Sequence, residues 1–389
     1  MKILFLNYEF FPIGGGGSTV TNFLAEGIVK KGHEVHLITS RYKNLPLYEI
    51  IKGVYIHRVK VVRKHRDRAS IFEMLTYIIS AFFYSKKFIK KETPEIIHAF
   101  FVVPSGVVAY VLYKRYKIPY IVYLGGSDVP GVDKDRYGII YNIITPFIKI
   151  IWNTAMYTIA ASEGLKEYAQ KVDTKQRFTV IPNGVDLSRF KPQANKKKKD
   201  TVKETIKLLA IGRLIPRKGF QYLLQALPEV LKTKKKFQLD IIGSGPYQNE
   251  LQRIVKEHKL ESYVRFLGLV EYEQLLKYYQ EADVLINASY GEGMPLVVLE
   301  AMGTGLPIIA TKVPGNEELV KHGVNGYLIK ARDPQEMADA LIEILASDTL
   351  RIKMRKESLK IIQNYSWDRI VDRYITLYKK SLKKKPLKK

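Results

Sequence analysis

The stretch from Tyr290 to Pro307, YGEGMPLVVLEAMGTGLP, combines glycines, a proline and two carboxylates at a spacing that could bind a ligand. Glycines on both sides of Glu292 would let the backbone approach a ligand closely. Pro295 suits the first turn of a helix, and Gly303 is placed to end it. The amides of residues 294–297 would then point out of the helix start, where the helix dipole favours an anion such as phosphate.

The two carboxylates of this stretch, Glu292 and Glu300, would repel a phosphate and are better suited to accept hydrogen bonds from hydroxyls. A ligand that carries both phosphate and hydroxyls is a nucleotide sugar. The alternative is a buried α/β helix with a solvated glutamate at each end. The strands predicted at 282–290 and 306–311 favour the ligand site, because open α/β sheets bind ligands between a strand's carboxyl end and the next helix.

Arg213 and Lys218 follow another apolar strand, which is predicted to begin at residue 206. A guanidinium can hold phosphate oxygens with two bonds, and an ammonium adds a point charge. The alternative is a pair of solvated loop cations. Because the pair would lie at the carboxyl edge of the same sheet as the helix start, we favour a phosphate site.

Strands and helices alternate along the whole chain, which predicts an α/β fold with parallel, doubly wound sheets. The first strand, 2–10, runs into four glycines at 14–17, which lack the spacing of a dinucleotide fingerprint. We interpret them as a close approach to a ligand rather than a flexible turn. His98 and Asp128 end two later strands and are candidates for the same edge, although His98 could equally be a histidine at the edge of the core.

The chain of 389 residues is long enough for two domains, and its 46% hydrophobic content can supply both cores. A polar, lysine-rich segment at 187–204 predicts a linker between domains at 1–186 and 205–364, followed by a C-terminal segment at 365–389. The absence of cysteine excludes disulfides and thiolate metal sites.

The formal net charge of +26 predicts an anionic partner. Residues 70–88 are rich in aromatic and aliphatic side chains and lie between basic clusters, which favours an anionic membrane surface. The alternative is a core helix with a solvated basic rim. We expect no nucleic-acid partner, because no recognition motif is present. The N-terminus does not read as a signal peptide, and polar residues interrupt the uncharged stretch 96–113. We therefore expect a cytoplasmic protein that is peripheral on the inner face of a membrane. The lysines from residue 379 onward predict a solvated basic tail.

Together these motifs resemble the retaining GT-B glycosyltransferases of the glycosyl transferases group 1 family. The matching pieces follow the family's order along the chain: the glycines at 14–17, IPNGVD at 181–186, IGRLIPRKG at 211–219, IIGSGP at 241–246 and the segment 292–311. The resemblance implies two Rossmann-like doubly wound domains that face each other across a cleft. The C-terminal domain would bind the nucleotide-sugar donor, the N-terminal domain would bind the acceptor, and the final helix would cross back to the N-terminal domain.

The resemblance also implies roles for individual residues. Arg213 and Lys218 would bind the diphosphate, and Glu300 would bind the ribose hydroxyls. The transferred sugar and distal phosphate would lie against Glu292 and the backbone of its neighbours, namely Gly293, Met294, Pro295 and Leu296. The loop at Gly15 and Gly16 would close near the phosphates and the acceptor, with His98 and Asp128 on the acceptor side. The nucleotide base would lie near Gly243, Gly245 and Val270.

The chain departs from the family pattern at Gly125, which stands where many members have a histidine before G-x-D; Asp128 remains. The implied reaction is a front-face displacement that transfers a hexose with retention and needs neither a metal nor another cofactor, because the two cations neutralise the diphosphate. The expected acceptor is a membrane lipid or a lipid-linked glycan, and a soluble sugar or sugar phosphate is the alternative. A GT-B epimerase or phosphorylase and a non-catalytic anion-binding or membrane-binding module are the competing classes.

Overall fold

The structure is a computed structural model that describes residues 1–66, 69–126, 128–132, 134–193 and 205–383, apart from the side chains of 134–140 and 142. The chain divides into two compact units. Unit 1 comprises Met1–Asn183 and the C-terminal segment from Trp367, and unit 2 comprises Gly184–Ser366.

Unit 1 is built on one sheet whose central strands are buried on both faces, as expected for a sheet covered by helices. Its elements before the linker are β1 (Lys2–Leu6), α1 (Gly16–Lys30), β2 (Glu34–Ser40), β3 (Tyr48–Ile51), β4 (Val54–Val59), α2 (Ile71–Glu92), β5 (Ile96–Phe100), α3 (Val107–Tyr116), β6 (Tyr120–Leu124), α4 (Lys134–Thr154), β7 (Tyr157–Ala160), α5 (Glu163–Val172) and β8 (Phe178–Val180). Among the described residues the strand order is β3-β4-β2-β1-β5-β6-β7-β8. All neighbours pair in parallel except β3 and β4. The prediction of parallel sheets is therefore wrong for this one edge strand, which a tight turn at Lys52 and Gly53 returns antiparallel to β4.

Unit 2 has the same architecture on a smaller sheet. Its elements are β9 (Ile206–Ile211), α6 (Phe220–Leu231), β10 (Phe237–Ile242), α7 (Gln248–Glu257), β11 (Val264–Gly268), α8 (Leu275–Glu281), β12 (Val284–Asn287), α9 (Leu296–Gly303), β13 (Ile308–Thr311), α10 (Asn316–Leu319), β14 (Gly326–Ile329), α11 (Pro334–Ala346) and α12 (Asp348–Ile361). The order in the described sheet is β11-β10-β9-β12-β13-β14, and every pair is parallel. Two doubly wound α/β units confirm the predicted fold class.

The last helix, α13 (Trp367–Lys383), belongs to unit 1 although it follows unit 2 in the chain. It packs on α1, where the ring of Trp367 stacks on Phe23 with ring centroids 5.7 Å apart. Gly27 allows the two helices to approach closely, because a Cβ there would lie 2.4 Å from Val371.

The boundary between the units falls between Asn183 and Gly184, three residues before the predicted end of the first domain. The first part of the predicted linker, residues 187–193, is part of unit 2. The remainder of the linker, 194–204, and the basic tail from residue 384 lie outside the described residues.

Candidate active site

The candidate site in unit 2 lies where the strand order reverses. The chain passes from β9 to β10 on one side of β9, whereas β12 pairs with β9 on the other side. Loops leaving the carboxyl ends of β9 and β12 therefore diverge and leave a crevice between them, which is the usual ligand position in such sheets. Arg213 and Lys218 lie in the loop after β9, and Glu292 lies in the loop after β12.

These two loops are pressed together at Gly219. This residue has φ +70°, and a Cβ on it would lie 1.9 Å from the carbonyl oxygen of Ala288. Two further bonds join the loops: the amide of Tyr290 donates to the carbonyl of Arg217 at 3.0 Å, and the hydroxyl of Ser289 donates to it at 3.1 Å. Gly219 directly follows Lys218 in the loop that carries Arg213. A glycine is required there by packing, because a larger residue at 219 would push the two loops apart.

Lys218 and Glu292 meet in this crevice. The Nζ of Lys218 lies 2.5 Å from Oε1 of Glu292, and the two side chains are only 19% and 11% exposed. Burial lowers the pKa of Lys218, and the attraction of Glu292 offsets only part of that effect. Burial alone would raise the pKa of Glu292, but Lys218 and Arg217 outweigh it and hold this pKa below its usual value. The short contact between ammonium and carboxylate is that of a charge-assisted hydrogen bond.

The helix start predicted after Glu292 is present, with one shift. Pro295 precedes α9 as its N-cap residue, so the first helical residue is Leu296. The carbonyl of Pro295 accepts the first hydrogen bonds of the helix, from the amides of Val298 and Leu299 at 3.2 and 3.3 Å. Amides before these two point out of the first turn, as the anion-site prediction requires. The helix ends at Gly303 as predicted, and Gly303 is also required by packing, because a Cβ there would lie 2.8 Å from the carbonyl oxygen of Phe190.

Glu300 lies inside α9 and is buried, with 4% of its surface exposed. The hydroxyl of Tyr279 on α8 donates to Glu300 Oε2 at 2.7 Å, and the hydroxyl of Tyr272 also bonds the carboxylate. Burial raises the pKa of Glu300 to about 7, although the tyrosine bonds act in the opposite direction. Arg189 lies 4.5 Å from the centroid of the Tyr272 ring and donates to that residue's carbonyl at 2.7 Å. A carboxylate with two phenol donors retains acceptor positions for other hydroxyls.

No pattern in the sequence pointed to Tyr272 or Tyr279. Both are ordinary residues of a helical segment, and they reach Glu300 only because α8 and α9 lie beside each other in the fold. No spacing rule could have paired residues 21 positions apart.

Gly243 and Gly245, predicted to lie near the nucleotide base, pack closely on the loop that carries Arg213. A Cβ on Gly243 would lie 1.9 Å from the carbonyl oxygen of Gly212, and one on Gly245 would lie 2.3 Å from that of Leu214. The amide of Leu214 donates to the carbonyl of Ser244 at 2.9 Å. The glycines of this loop therefore fix the position of the loop that carries Arg213. Val270 follows the edge strand β11 and is partly exposed.

Residues predicted for the acceptor side, and the glycines of the first loop, lie in unit 1. Gly15 and Gly16 are exposed at the start of α1, and a Cβ on Gly15 would meet nothing within 4 Å. Asp128 is partly buried and accepts bonds from the amides of Gly125 and Gly126, both at 2.9 Å. Burial raises the pKa of Asp128 to about 6 in spite of these bonds. The carboxylate thus holds the loop after β6 in place.

His98 is a core residue and not part of the loop edge. It is fully buried, its Nδ1 lies 2.8 Å from the hydroxyl of Tyr378 on α13, and its ring stacks on Phe100. Burial lowers its pKa to about 3, so the imidazole is neutral. The predicted acceptor-side role has no support from this position, and the alternative of a core histidine fits it.

Gly125, where the family pattern has a histidine, faces Phe101. A Cβ on Gly125 would lie 2.6 Å from the ring of Phe101, which leaves no room for a larger side chain. The departure from the family pattern is therefore built into the packing of unit 1.

Glu34, His36 and Glu92 form a cluster with the geometry of metal ligands among the described residues. Lys2 lies between the two carboxylates, with Nζ 3.2 Å from Glu34 and 2.8 Å from Glu92. The ammonium already supplies the positive charge there. The cluster is also at the amino end of β2, opposite to the loop edge.

Two doubly wound α/β units are the architecture of the GT-B class of glycosyltransferases, and the second unit carries a cation–carboxylate pair at its switch point. The comparisons agree with this class. A sucrose-phosphate synthase from Thermosynechococcus elongatus superposes with a TM-score of 0.86 at 23% identity, covering 98% of both chains. HepE from Anabaena, solved in complex with UDP-glucose, gives a TM-score of 0.74 at 19% identity, covering 98% of this chain and all of that one.

The chain belongs to the glycosyl transferases group 1 family. Residues 192–361 match that family, and residues 14–189 match the Glycosyltransferase Family 4 description. The putative teichuronic acid biosynthesis glycosyltransferase TuaC of Bacillus subtilis is 31% identical over 324 residues, which cover 78% of this chain and 74% of that protein. Sugar transfer is thus the activity of this chain.

Proposed function

We propose that this chain transfers a hexose, with retention, from a nucleotide diphosphate sugar to a lipid or lipid-linked glycan at an anionic membrane. The donor part of the proposal rests on the Lys218–Glu292 pair at the switch point of unit 2. The diphosphate would bind Arg213 and Lys218 and the amides that begin α9. Glu292 would then exchange part of its bond with Lys218 for hydroxyls of the transferred sugar.

The proposed reaction is a front-face displacement. The acceptor oxygen forms a bond to the anomeric carbon on the face that the diphosphate leaves, and the acceptor's proton passes to a diphosphate oxygen. Arg213 and Lys218 stabilise the charge that develops on the leaving group, which is electrostatic catalysis. Two cations at the diphosphate supply the neutralisation that a divalent metal would otherwise give, so we propose a reaction that needs no metal. Glu300 and its two tyrosines would hold the ribose hydroxyls, since the carboxylate is a buried acceptor within α9.

The acceptor part of the proposal rests on an exposed apolar surface of unit 1, here called the α2–α4 face. Its members are large apolar side chains that are at least 38% exposed: Ile71, Phe72, Leu75, Ile79 and Phe83 on α2, Val111 on α3, and Ile143, Phe147 and Ile150 on α4. Helix α3 packs against both α2 and α4, so the three helices form one layer. The buried side of α2 is formed by other residues, among them Tyr77, Ala81 and Ser85. One side of α2 also buries Phe88 and Ile89, so the helix packs on the core while its side chains in the α2–α4 face remain exposed.

Exposed cations surround the α2–α4 face. They lie in the loop before α2 and near the carboxyl ends of α2 and α3: Lys64, Arg66, Lys87, Lys90, Lys91, Lys114, Arg115 and Lys117. An apolar surface bordered by cations matches the interface of an anionic bilayer, where the apolar groups enter the acyl boundary and the cations meet headgroups. No helix of the described residues is long and apolar enough to cross a membrane.

A soluble acceptor is the second candidate. The name of the sucrose-phosphate synthase, whose fold is similar, describes a product that is a sugar phosphate. In that case the α2–α4 face would have no part in acceptor delivery.

One experiment separates the two candidates. Purified chain is incubated with labelled nucleotide sugars and vesicles of a lipid extract that contain phosphatidylglycerol, and the label is followed into lipid and into water-soluble product. Our proposal predicts label in the lipid phase and co-sedimentation of the protein with the vesicles. A variant with Ile79→Ser, Phe83→Ser and Phe147→Ser should lose both, whereas a control with Leu269→Ser and Val324→Ser, exposed apolar residues of unit 2, should keep both. Label that enters only water-soluble product, with equal transfer by both variants, would support the soluble acceptor.

A further inference from the structure

Phe101 lies at the switch point of unit 1. It directly follows β5, and the strand order reverses between β1 and β5 in the same way as between β9 and β12. Its side chain is partly exposed. The residue thus occupies the position at which an open α/β sheet binds its ligand.

The backbone of Phe101 is strained. Its φ of +70° and ψ of 143° lie in a region that only glycine adopts readily. Other non-glycine residues with positive φ, such as Thr93 and Lys117, have ψ of 62° and 18° and end helices in the ordinary left-handed region. Phe101 is held by two backbone bonds, from its own amide to the carbonyl of Tyr123 at 2.9 Å and from the amide of Gly106 to its carbonyl at 3.0 Å. Strain of this kind persists where the surrounding structure fixes it, and it concentrates at functional sites.

The ring of Phe101 is accommodated by two glycines from separate loops. Gly17 lies in the first turn of α1, and a Cβ on it would lie 2.3 Å from the ring of Phe101. Gly125 follows β6, and a Cβ on it would lie 2.6 Å from the same ring. The ring of Tyr8, in the loop after β1, contacts Phe101 edge-on with centroids 5.9 Å apart. Loops after three neighbouring strands are therefore shaped around one aromatic ring that is not buried in the core.

We propose that the partly exposed ring of Phe101 is a stacking platform for a pyranose ring of the acceptor. One face of a pyranose presents C–H groups, and the negative face of an aromatic ring attracts them. The ring needs the strained backbone to lie at the loop edge, because the neighbouring strand positions direct side chains into the core. This inference rests on the proposed function, which places the acceptor on unit 1.

The test uses the full chain without nucleotide and a panel of methyl pyranosides of glucose, galactose, mannose and N-acetylglucosamine, with binding followed by saturation-transfer NMR. The wild type should bind at least one of them at millimolar concentration. Phe101→Leu should weaken that binding about two- to tenfold, which is the range for an aromatic contact. Tyr48→Leu, which removes an exposed aromatic ring from β3 in the same unit, should leave it unchanged.

Phe101→Gly separates stacking from a structural role. Glycine adopts the backbone conformation of Phe101 without strain, so this variant should keep or raise the melting temperature while losing pyranoside binding. If Phe101 has only a packing role, the variant should instead lower the melting temperature and leave pyranoside binding intact.

Three results would overturn the inference: a wild type that binds no pyranoside, pyranoside binding that is equal in Phe101→Leu, or a loss in Phe101→Leu confined to nucleotide-sugar binding. Failure of the proposed function would show differently, as a wild type that binds no nucleotide sugar, because the pyranosides are measured without nucleotide.

Discussion

The two units reverse their strand order in the same way but put different chemistry at the reversal. In unit 2 the loops after β9 and β12 bring together Lys218 and Glu292, a largely buried ion pair. In unit 1 the loops after β1, β5 and β6 surround the ring of Phe101 with glycines, and the buried ion pair of this region joins Glu9 to Arg63 at the longer distance of 3.7 Å. Equivalent topology thus supplies the location, and loop residues decide what can bind there.

The difference matches two kinds of ligand. A buried cation beside a helix start suits a diphosphate, which brings its own negative charge to offset Lys218. An aromatic ring bordered by glycines suits a neutral ring with an apolar face. We call the Lys218–Glu292 region of unit 2 the charged switch point and the Phe101 region of unit 1 the aromatic switch point. We expect changes to the charged switch point to affect donor chemistry strongly, and changes to the aromatic switch point to have smaller effects.

The largest effect should come from Lys218→Ala. The variant removes a cation that we place on the leaving diphosphate, so kcat should fall about 10²- to 10³-fold. It also takes from the buried Glu292 its closest cation and leaves it with Arg217 and Ser289, which should lower the free energy of unfolding by about 3 kcal/mol. Steady-state kinetics and urea unfolding measure the two effects.

Two controls sharpen this prediction. Adding Glu292→Gln to Lys218→Ala should recover most of the stability but none of the activity. Lys207→Ala breaks a pair with Glu281 whose side chains are 43% and 42% exposed, and it should cost less than about 1 kcal/mol and leave kcat unchanged. A Lys218→Ala enzyme with wild-type kcat would remove Lys218 from the chemistry.

Glu300 should make donor affinity depend on pH. Because burial raises its pKa to about 7, the carboxylate becomes protonated as pH falls through this value and can no longer accept two hydroxyl bonds. The affinity for a nucleotide sugar should therefore fall by up to about tenfold per pH unit below pH 7. Calorimetric titration from pH 5.5 to about 8.5 measures the profile.

The same pKa has the opposite sign in stability. The unfolded chain loses this proton near pH 4.5 and the folded chain near pH 7, so the contribution of Glu300 to stability falls as pH rises between these values.

Tyr279→Phe removes a bond that favours the carboxylate and should move the loss of affinity to higher pH. Glu300→Gln should bind weakly at every pH. An affinity profile of Glu300→Gln that follows the wild type would show that another group titrates.

Gly125→His tests the aromatic switch point with a smaller effect. The ring of Phe101 occupies the space that a Cβ at position 125 would need, so the substitution should lower stability by about 1–3 kcal/mol through overpacking. Combining it with Phe101→Ala should restore most of that loss, which thermal unfolding of the two single variants and the double variant can measure. Additive losses in the double variant would contradict the assignment of the conflict to this one ring.

The sequence predicted the parts of the fold that depend on local pattern. Apolar strands followed by glycine turns located the strands on both sides of the two switch points, and the proline and glycines of residues 290–307 predicted α9 to within one residue. Elements without such a pattern were missed. Helix α4 contains Pro146 within its length, and β3 returns antiparallel through a turn that the general alternation of strands and helices did not reveal.

The candidate site was predictable only where residue type and position in the chain agreed. Arg213, Lys218 and Glu292 follow strands directly, and the structure brings the last two together although they are 74 residues apart. The partners of Glu300 and the ring beside Gly125 depend on packing between distant segments, so no spacing in the sequence indicated them. The contact of His98 was hidden for the same reason, since its partner Tyr378 lies 280 residues later on α13.

The most direct test of the donor site is thermal unfolding of the full chain with UDP-, GDP- and ADP-sugars. Arg213→Ala is the test variant, and Arg253→Ala, which changes an exposed arginine of α7, is the control. A nucleotide sugar at 100 times its dissociation constant should stabilise the wild type and the control by about 2.7 kcal/mol. Our account predicts that one nucleotide class does so and that Arg213→Ala loses the shift. Stabilisation of Arg213→Ala equal to that of the wild type, or no stabilisation by any nucleotide sugar, would contradict the assignment of the β9–β12 switch point as the donor site.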